Sequence, residues 1–176
     1  MKVLASLLIS AFLLTACSKG PETEQPIDES PQPPVDDTTT DPNTPTTADI
    51  YFVELDGGGT NGDLIGCNDS IVPVSMEVTT TNLQGALTRL FTYNGQYHVP
   101  TGYYNTLHNS NLEYSSSTTE DDVTKIYLTG EPVFGGTCDT PRFENQILYT
   151  AKQFTGNTAV EIFVNNQPLQ EILSSE

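Results

Sequence analysis

A chain of 176 residues has room for one ordinary domain and little more. With 6 Lys and Arg against 23 Asp and Glu, its formal charge of −17 argues against a nucleic-acid binder, which needs a basic face to neutralise phosphates. Two histidines and three cysteines leave few ways to build a transition-metal site, and no cofactor is expected.

The first element in the chain is a targeting segment, residues 1–17. Lys2 gives a positive start, and residues 3–16 (VLASLLISAFLLTA) are uncharged and mostly apolar. That run falls short of the roughly 20 residues that cross a bilayer core, but it suits the core of a signal peptide. It ends in Leu14-Thr15-Ala16-Cys17, which resembles the bacterial lipobox. In that reading Cys17 takes a diacylglycerol and becomes the first mature residue, so one partner is the lipid bilayer. An ordinary secretory signal cut nearby is the alternative.

Residues 18–48 follow as a tether. They hold 7 of the 12 prolines, 7 threonines and 7 acidic residues, with Lys19 as the one base. Such a stretch buries too little apolar surface to offset its ordering entropy and is expected to be disordered. Between an extended polyproline form and a flexible coil, its reach is on the order of 30 to 90 Å. Its charge of −6 repels an anionic lipid surface. The function implied is a spacer that holds a domain off a membrane.

Residues 49–176 form the folded part, with 16 acids against Arg89, Lys125, Arg142 and Lys152, a charge of −12. With Cys17 lipidated, Cys67 and Cys138 remain, and in an oxidising envelope an even pair usually forms a disulfide. Two separate buried thiols are the alternative. Residues 50–55 (IYFVEL) read as a strand, followed by the turn-rich loop 56–63. Residues 71–78 alternate, with Val72, Val74, Met76 and Val78 on one face, and Pro73 places the strand at an edge or against a bulge.

Residues 82–93 predict a helix, because Leu83, Ala86, Leu87, Leu90 and Phe91 make one apolar stripe. Gly95 reads as its stop. Residues 102–110 suggest a short helical turn. Residues 112–118 and 123–129 read as a hairpin with the tip Glu120-Asp121-Asp122. Thr140-Pro141 opens a second helix, with Thr140 as cap and Pro141 at the first helical position. Phe143, Ile147, Ala151 and Phe154 lie on one side of it, and Gly156-Asn157 ends it. Residues 159–164 predict a strand, Asn165-Asn166 a turn, and residues 168–172 a final short strand. This order implies an α+β fold: a mostly antiparallel sheet with two amphipathic helices packed on one face, plus a short extra helix.

Two stretches resemble the GerMN domain, a family named from sporulation and spore-germination proteins. Ile71-Val72-Pro73-Val74, then Leu83 and Ala86-Leu87-Thr88-Arg89-Leu90, is similar to that family's strand and first helix. Residues 147–154 (ILYTAKQF), then Val160-Glu161-Ile162-Phe163-Val164-Asn165, resemble the signature that ends the domain. The segments around Cys67 and Cys138 resemble a cysteine-bearing branch found in bacterial envelope proteins. Asn166 departs from the glycine common in the final turn, though Asn also tolerates positive φ. The resemblance covers most of residues 50–170. It implies an extracytoplasmic domain without established catalysis, used for binding or scaffolding, and it transfers no active site.

A search for chemistry gives the same answer. His98 and His108 are the available bases, no serine sits in a Gly-x-Ser-x-Gly elbow, and both histidines read as surface or capping residues. Glu120, Asp121 and Asp122 form the densest acidic cluster, yet an exposed tip does not raise a carboxylate's pKa as a general acid requires. Glycines 57–59 lack the Lys and the helix start of a phosphate cradle. Asp56, Asn61, Asp63, Asn68 and Asp69 are oxygen ligands of the type Ca²⁺ takes, but not at EF-hand spacing.

Tyrosines are more telling. Tyr93, Tyr97, Tyr103, Tyr104 and Tyr114, five of eight, fall within 22 residues beside His98. Tyr104 is expected to turn inward with Leu107. Tyr97, His98 and Tyr103 are the candidate binding surface, since a flat apolar ring with a polar end suits interfaces. The sequence therefore predicts a membrane-tethered, non-enzymatic lipoprotein of the cell envelope, on the periplasmic or outer side. Its partner is an envelope protein or peptidoglycan, and no nucleic acid. A carboxylate-based wall hydrolase and a Ca²⁺-stabilised adhesion module are the rival readings.

Overall fold

The structure, a computed structural model, describes residues 46–156 and 158–175. The targeting segment, Cys17, most of the tether and Asn157 lie outside the described residues. The fold is α+β, with two sheets and three helices in place of the single sheet expected.

The first sheet is antiparallel. β1 (Thr47–Glu54) pairs along its length with β3 (Ser70–Glu77), and the two-residue β2 (Asp63–Leu64) touches β3 only at Ser70 and Ile71. Pro73 lies just past the reach of β2 and is exposed, on a stretch of edge with no strand partner. The second sheet runs β4 (Asn111–Glu120), β5 (Val123–Glu131), β6 (Ala159–Val164), β7 (Gln167–Pro168). β5 and β6 are parallel, because α2 (Asp139–Thr155) is the crossover between them. Two-residue turns close both hairpins, at Asp121-Asp122 and Asn165-Asn166. All four residues have φ between 49° and 67°, the left-handed pair that matches strand twist.

α1 (Leu83–Phe91) starts as expected: the Asn82 side chain accepts the Gly85 N–H at 2.8 Å. It ends four residues before Gly95, where the Thr92 hydroxyl donates to the Thr88 carbonyl. The 102–110 turn shrinks to a 3-10 helix, Thr106–Asn109. The second helix begins two residues early, after Cys138. Pro141 is therefore its third residue, still in the first turn, where no intrahelical N–H is lost. The last predicted strand is mostly a helix, α3 (Leu169–Leu173). Leu169 and Leu173 stand four residues apart and both are buried, so the helical period overrides the alternation.

One core joins both sheets. Ile50 and Phe52 of β1, Leu87 and Leu90 of α1, Phe143 and Ile147 of α2, and Ile126 and Leu128 of β5 are all fully buried in it. The sheets stay separate because the outer edge of β1 is already covered. Three polar side chains of α2, at spacing i, i+4, i+7, satisfy that edge. Gln146 Nε2 donates to the Tyr51 carbonyl (3.0 Å), Thr150 Oγ1 accepts the Tyr51 N–H (3.1 Å), and Gln153 bonds both backbone groups of Asp49. A helix thus takes the place of a neighbouring strand, which removes an exposed edge.

Gln146 does more than cover the edge. It is fully buried, and its Oε1 accepts the Thr106 N–H at 2.7 Å. Its Nε2 also reaches Asn105 Oδ1 at 3.2 Å. Replacing it with alanine orphans at least two buried backbone groups, at about 1–3 kcal/mol each. Gln146→Ala is expected to cost about 3 kcal/mol in urea unfolding, far more than Gln170→Ala on the surface.

Candidate functional site

The tyrosine-rich loop is built on the same edge of β1. Val53 and Tyr104 exchange both backbone hydrogen bonds, at 2.9 and 2.7 Å. Tyr104 pairs in turn with Tyr97. The His98 N–H bonds the Tyr103 carbonyl and the Asn105 N–H bonds the Gln96 carbonyl, so residues 96–105 form a small hairpin. Buried Asn105 fixes its base: Nδ2 donates to the carbonyls of Tyr93 (2.8 Å) and Gly95 (3.2 Å), and Oδ1 accepts the Leu107 N–H.

Alternation along the hairpin splits the predicted surface in two. His98 and Tyr103 turn toward the core. The His98 ring lies 5.2 Å from Phe52 and 5.8 Å from Tyr93, its Nδ1 2.9 Å from the Thr101 hydroxyl, and Tyr103 packs against the core cluster. Tyr97 faces out and is 46% exposed, and at the hairpin tip Val99 is 81% exposed. Tyr104, expected inward, shares the outer face. Its ring lies 5.7 Å from Tyr97 and 5.9 Å from His108, with the Arg142 guanidinium 5.6 Å above it. Tyr104 is half-buried and is not among the residues packed on the core.

Burial first, and the Arg89 charge second, lower the His98 pKa below its ordinary 6.5. His98 is therefore neutral at pH 7, and the fold favours its neutral form. The sign follows: this contribution is complete above about pH 6.5, the unfolded value, and shrinks as pH falls below it. His98→Gln is expected to flatten the decline of stability between pH 7 and 5.5, measured by chemical denaturation. Burial, then the Asp139 carboxylate, raise the Tyr104 phenol and keep it neutral.

Behind Tyr104 lies the one described cluster of ion pairs. Arg142 Nε meets Asp69 Oδ2 at 2.7 Å and its terminal nitrogen meets Asp139 Oδ1 at 3.2 Å. Asp69 is 1% exposed, and its other oxygen accepts the Asp56 N–H. Asp139 also accepts the Gly135 N–H at 2.7 Å. Burial works against the charged guanidinium, but the hydrogen bonds to Asp69 and Asp139 outweigh it and raise its pKa. The Cys67–Cys138 disulfide, expected from the sequence, ties the same two segments, with Cα atoms 5.8 Å apart. Tyr104, Arg142 and the 135–138 loop enclose a recess of about 440 Å³.

The remaining candidates hold structural positions. Glu120, Asp121 and Asp122 form an exposed tip. His108 Nδ1 lies 2.8 Å from the Asn105 carbonyl at the end of the 3-10 helix, a capping position. In the glycine run, the N–H groups of Gly58 and Gly59 bond Asn68 and Ser70, so they do not converge on an anion. Of the oxygen ligands, Asp63 accepts from the Tyr149 hydroxyl (2.9 Å) and Asn61 donates to Glu54 (2.8 Å). Asn68 sits in the 3-10 turn with φ of 61°. Among the described residues, no three His, Cys, Asp or Glu side chains converge on a common point. Tyr114 packs against the core.

The stripe Gln146, Thr150, Gln153, the hub Asn105 and the Asp69–Arg142–Asp139 cluster were not singled out from sequence. The stripe had a signal: polar residues at helical spacing beside the apolar face of α2. The cluster had none, since Asp69 and Arg142 lie 73 residues apart.

A family model described as Germane, sporulation and spore germination, matches residues 49–170. No curated protein and no solved structure matches the chain. The chain belongs to the Germane family, as the GerMN resemblance implied.

Proposed function

We propose that this chain is an extracytoplasmic lipoprotein whose Germane domain docks a cell-envelope protein without catalysis. Cys17 holds the membrane, residues 18–48 act as spacer, and the Tyr97 face is the docking surface. The observation that carries the reading is exposed Tyr97 packed against half-buried Tyr104, on a hairpin rigidly bonded to β1, with exposed Val99 beside it. Rigid aromatic anchors of this type carry binding energy at interfaces. The lipobox pattern and the disulfide fit an envelope location. A domain charge of −12 disfavours the anionic polymers of a cell wall, which tilts the reading to a protein partner. Asp69 and Asp139, two buried carboxylates among the described residues, are both engaged by Arg142, which leaves neither as the free acid a hydrolase needs.

Tyr103 packs on the core, so Tyr97 is the better probe of binding. Tyr97→Ala is expected to weaken partner binding at least tenfold with Tm nearly unchanged. A photo-cross-linking residue in place of Tyr97 should give a discrete protein adduct in intact cells. The same residue at exposed Thr118 should not, and equal yields from both positions would overturn the reading. Cys17→Ser should release the chain from the membrane fraction.

A further inference from the structure

Where β6 runs past β7, a strand edge lies open at the floor of a groove. β7 pairs only with Phe163 and Val164. The Asn165 N–H bonds the Leu128 carbonyl, so in the parallel ladder the odd-numbered residues of β6 turn their backbone groups to β5. Val160 and Ile162 turn theirs outward. Pro168 has no N–H, so its pairing opposite Phe163 uses the Ile162 carbonyl, and among the described residues the Val160 N–H and carbonyl and the Ile162 N–H remain without a strand partner. Above these groups is a cavity of about 290 Å³, walled by Leu148 of α2 and Leu169 of α3. Glu144 and Glu161 line it as well, and no Lys or Arg does.

Three other edges of the two sheets are protected. The outer edge of β1 is covered by α2, β3 carries Pro73 on its open stretch, and β4 is broken by a bulge between Tyr114 and Ser116. The β6 edge has no such device. Its cavity is small for a cofactor but suits one side chain of an added strand, since alternate residues of a strand face the same way.

We propose that this groove receives an extended, cationic segment of a partner protein, which adds as a strand to β6 at Val160 and Ile162. The mode is strand addition: backbone hydrogen bonds supply affinity, and side-chain pockets supply selectivity. An aliphatic side chain fills the space between Leu148 and Leu169, and Lys or Arg residues of the segment pair with Glu144 and Glu161. Charge selects this occupant. Residues 49–176 carry 16 acids and 4 bases, and three of the bases, Arg89, Arg142 and Lys152, lie over tyrosine rings of their own domain. A second copy of the chain would bring the same carboxylates to the groove. Residues 18–48 would bring seven more acids. Like charges in so tight a space oppose both. The site shares no residue with the Tyr97 face and stands apart from the docking reading above.

The test is a titration of the isotope-labelled full chain with a capped peptide of sequence Lys-Val-Lys-Val-Lys-Val-Lys, followed by NMR. The amide signals of Val160 and Ile162 should move and their hydrogen exchange should slow, while Tyr97→Ala leaves binding unchanged. Glu144→Gln combined with Glu161→Gln should weaken the peptide about tenfold, with the Val53 and Tyr104 amides in place as proof of an intact fold. Three results would each overturn the proposal: no binding at millimolar peptide, equal binding by the Glu-Val counterpart, or equal binding by a peptide N-methylated at alternate residues.

Discussion

Replacing Arg142 with methionine is expected to destabilise the domain by about 4 kcal/mol, in the range for breaking a buried ion pair from one side. Methionine keeps much of the side-chain volume, so the loss is electrostatic and not a cavity. Asp69 would then stand 1% exposed with one backbone N–H donor, and Asp139 would lose its cation as well. A buried carboxylate without its partner is costly because little water reaches it. The same reasoning gives a check internal to the cluster. Adding Asp69→Asn and Asp139→Asn to Arg142→Met removes the stranded charges and should recover about half of the loss. If the single variant loses less than about 1 kcal/mol, the cluster does not hold the 66–70 loop to α2. Urea unfolding of the three proteins decides it.

The disulfide is the second large term. Cys67 and Cys138 are 71 residues apart, and closing a loop of that length stabilises by about 4 kcal/mol on the chain-entropy model. Cys67→Ser with Cys138→Ser is expected to lose about that much. The bond and the ion pairs hold the same junction, so their losses should not add. Removing both should cost less than the sum, because once one tie is cut the junction opens and the other contributes less. Full additivity, measured in a double-mutant cycle, would mean that the two ties act on separate parts of the fold.

What was legible in the sequence follows a physical line. The apolar stripes of α1 and α2 and the strands at 50–55, 71–78 and 159–164 were readable because periodicity is local. The two hairpin turns were readable for the same reason, from Asp and Asn runs. The division into two sheets was not. It depends on Gln146, Thr150 and Gln153 meeting the backbone of Tyr51 and Asp49, about a hundred residues earlier in the chain. Thr150 and Gln153 lay inside the stretch that resembles the family signature, yet a pattern match does not say what a residue holds. Residues 168–172 are too short for either period to win, and burial of Leu169 and Leu173 decides for a helix over the predicted strand.

The tyrosine cluster shows the same limit. Composition located it, and alternation on a hairpin could have separated Tyr97 and Tyr104 from His98 and Tyr103. That required knowing that residues 96–105 form a hairpin, and its pairing rests on Val53. The spacing of Tyr104 to Leu107 predicts an inward ring. In the structure it is half-buried beside Tyr97, His108 and Arg142, outside the core cluster.

The central claim is that the domain docks a protein partner and performs no chemistry on the cell wall. Incubating the purified full chain with isolated sacculi of the native host, then sedimenting them and analysing the supernatant, tests it most directly. The account predicts an intact wall, no soluble wall fragments, and the chain left in the supernatant. Release of fragments would contradict the non-catalytic reading, and cosedimentation with an intact wall would contradict the choice of a protein partner.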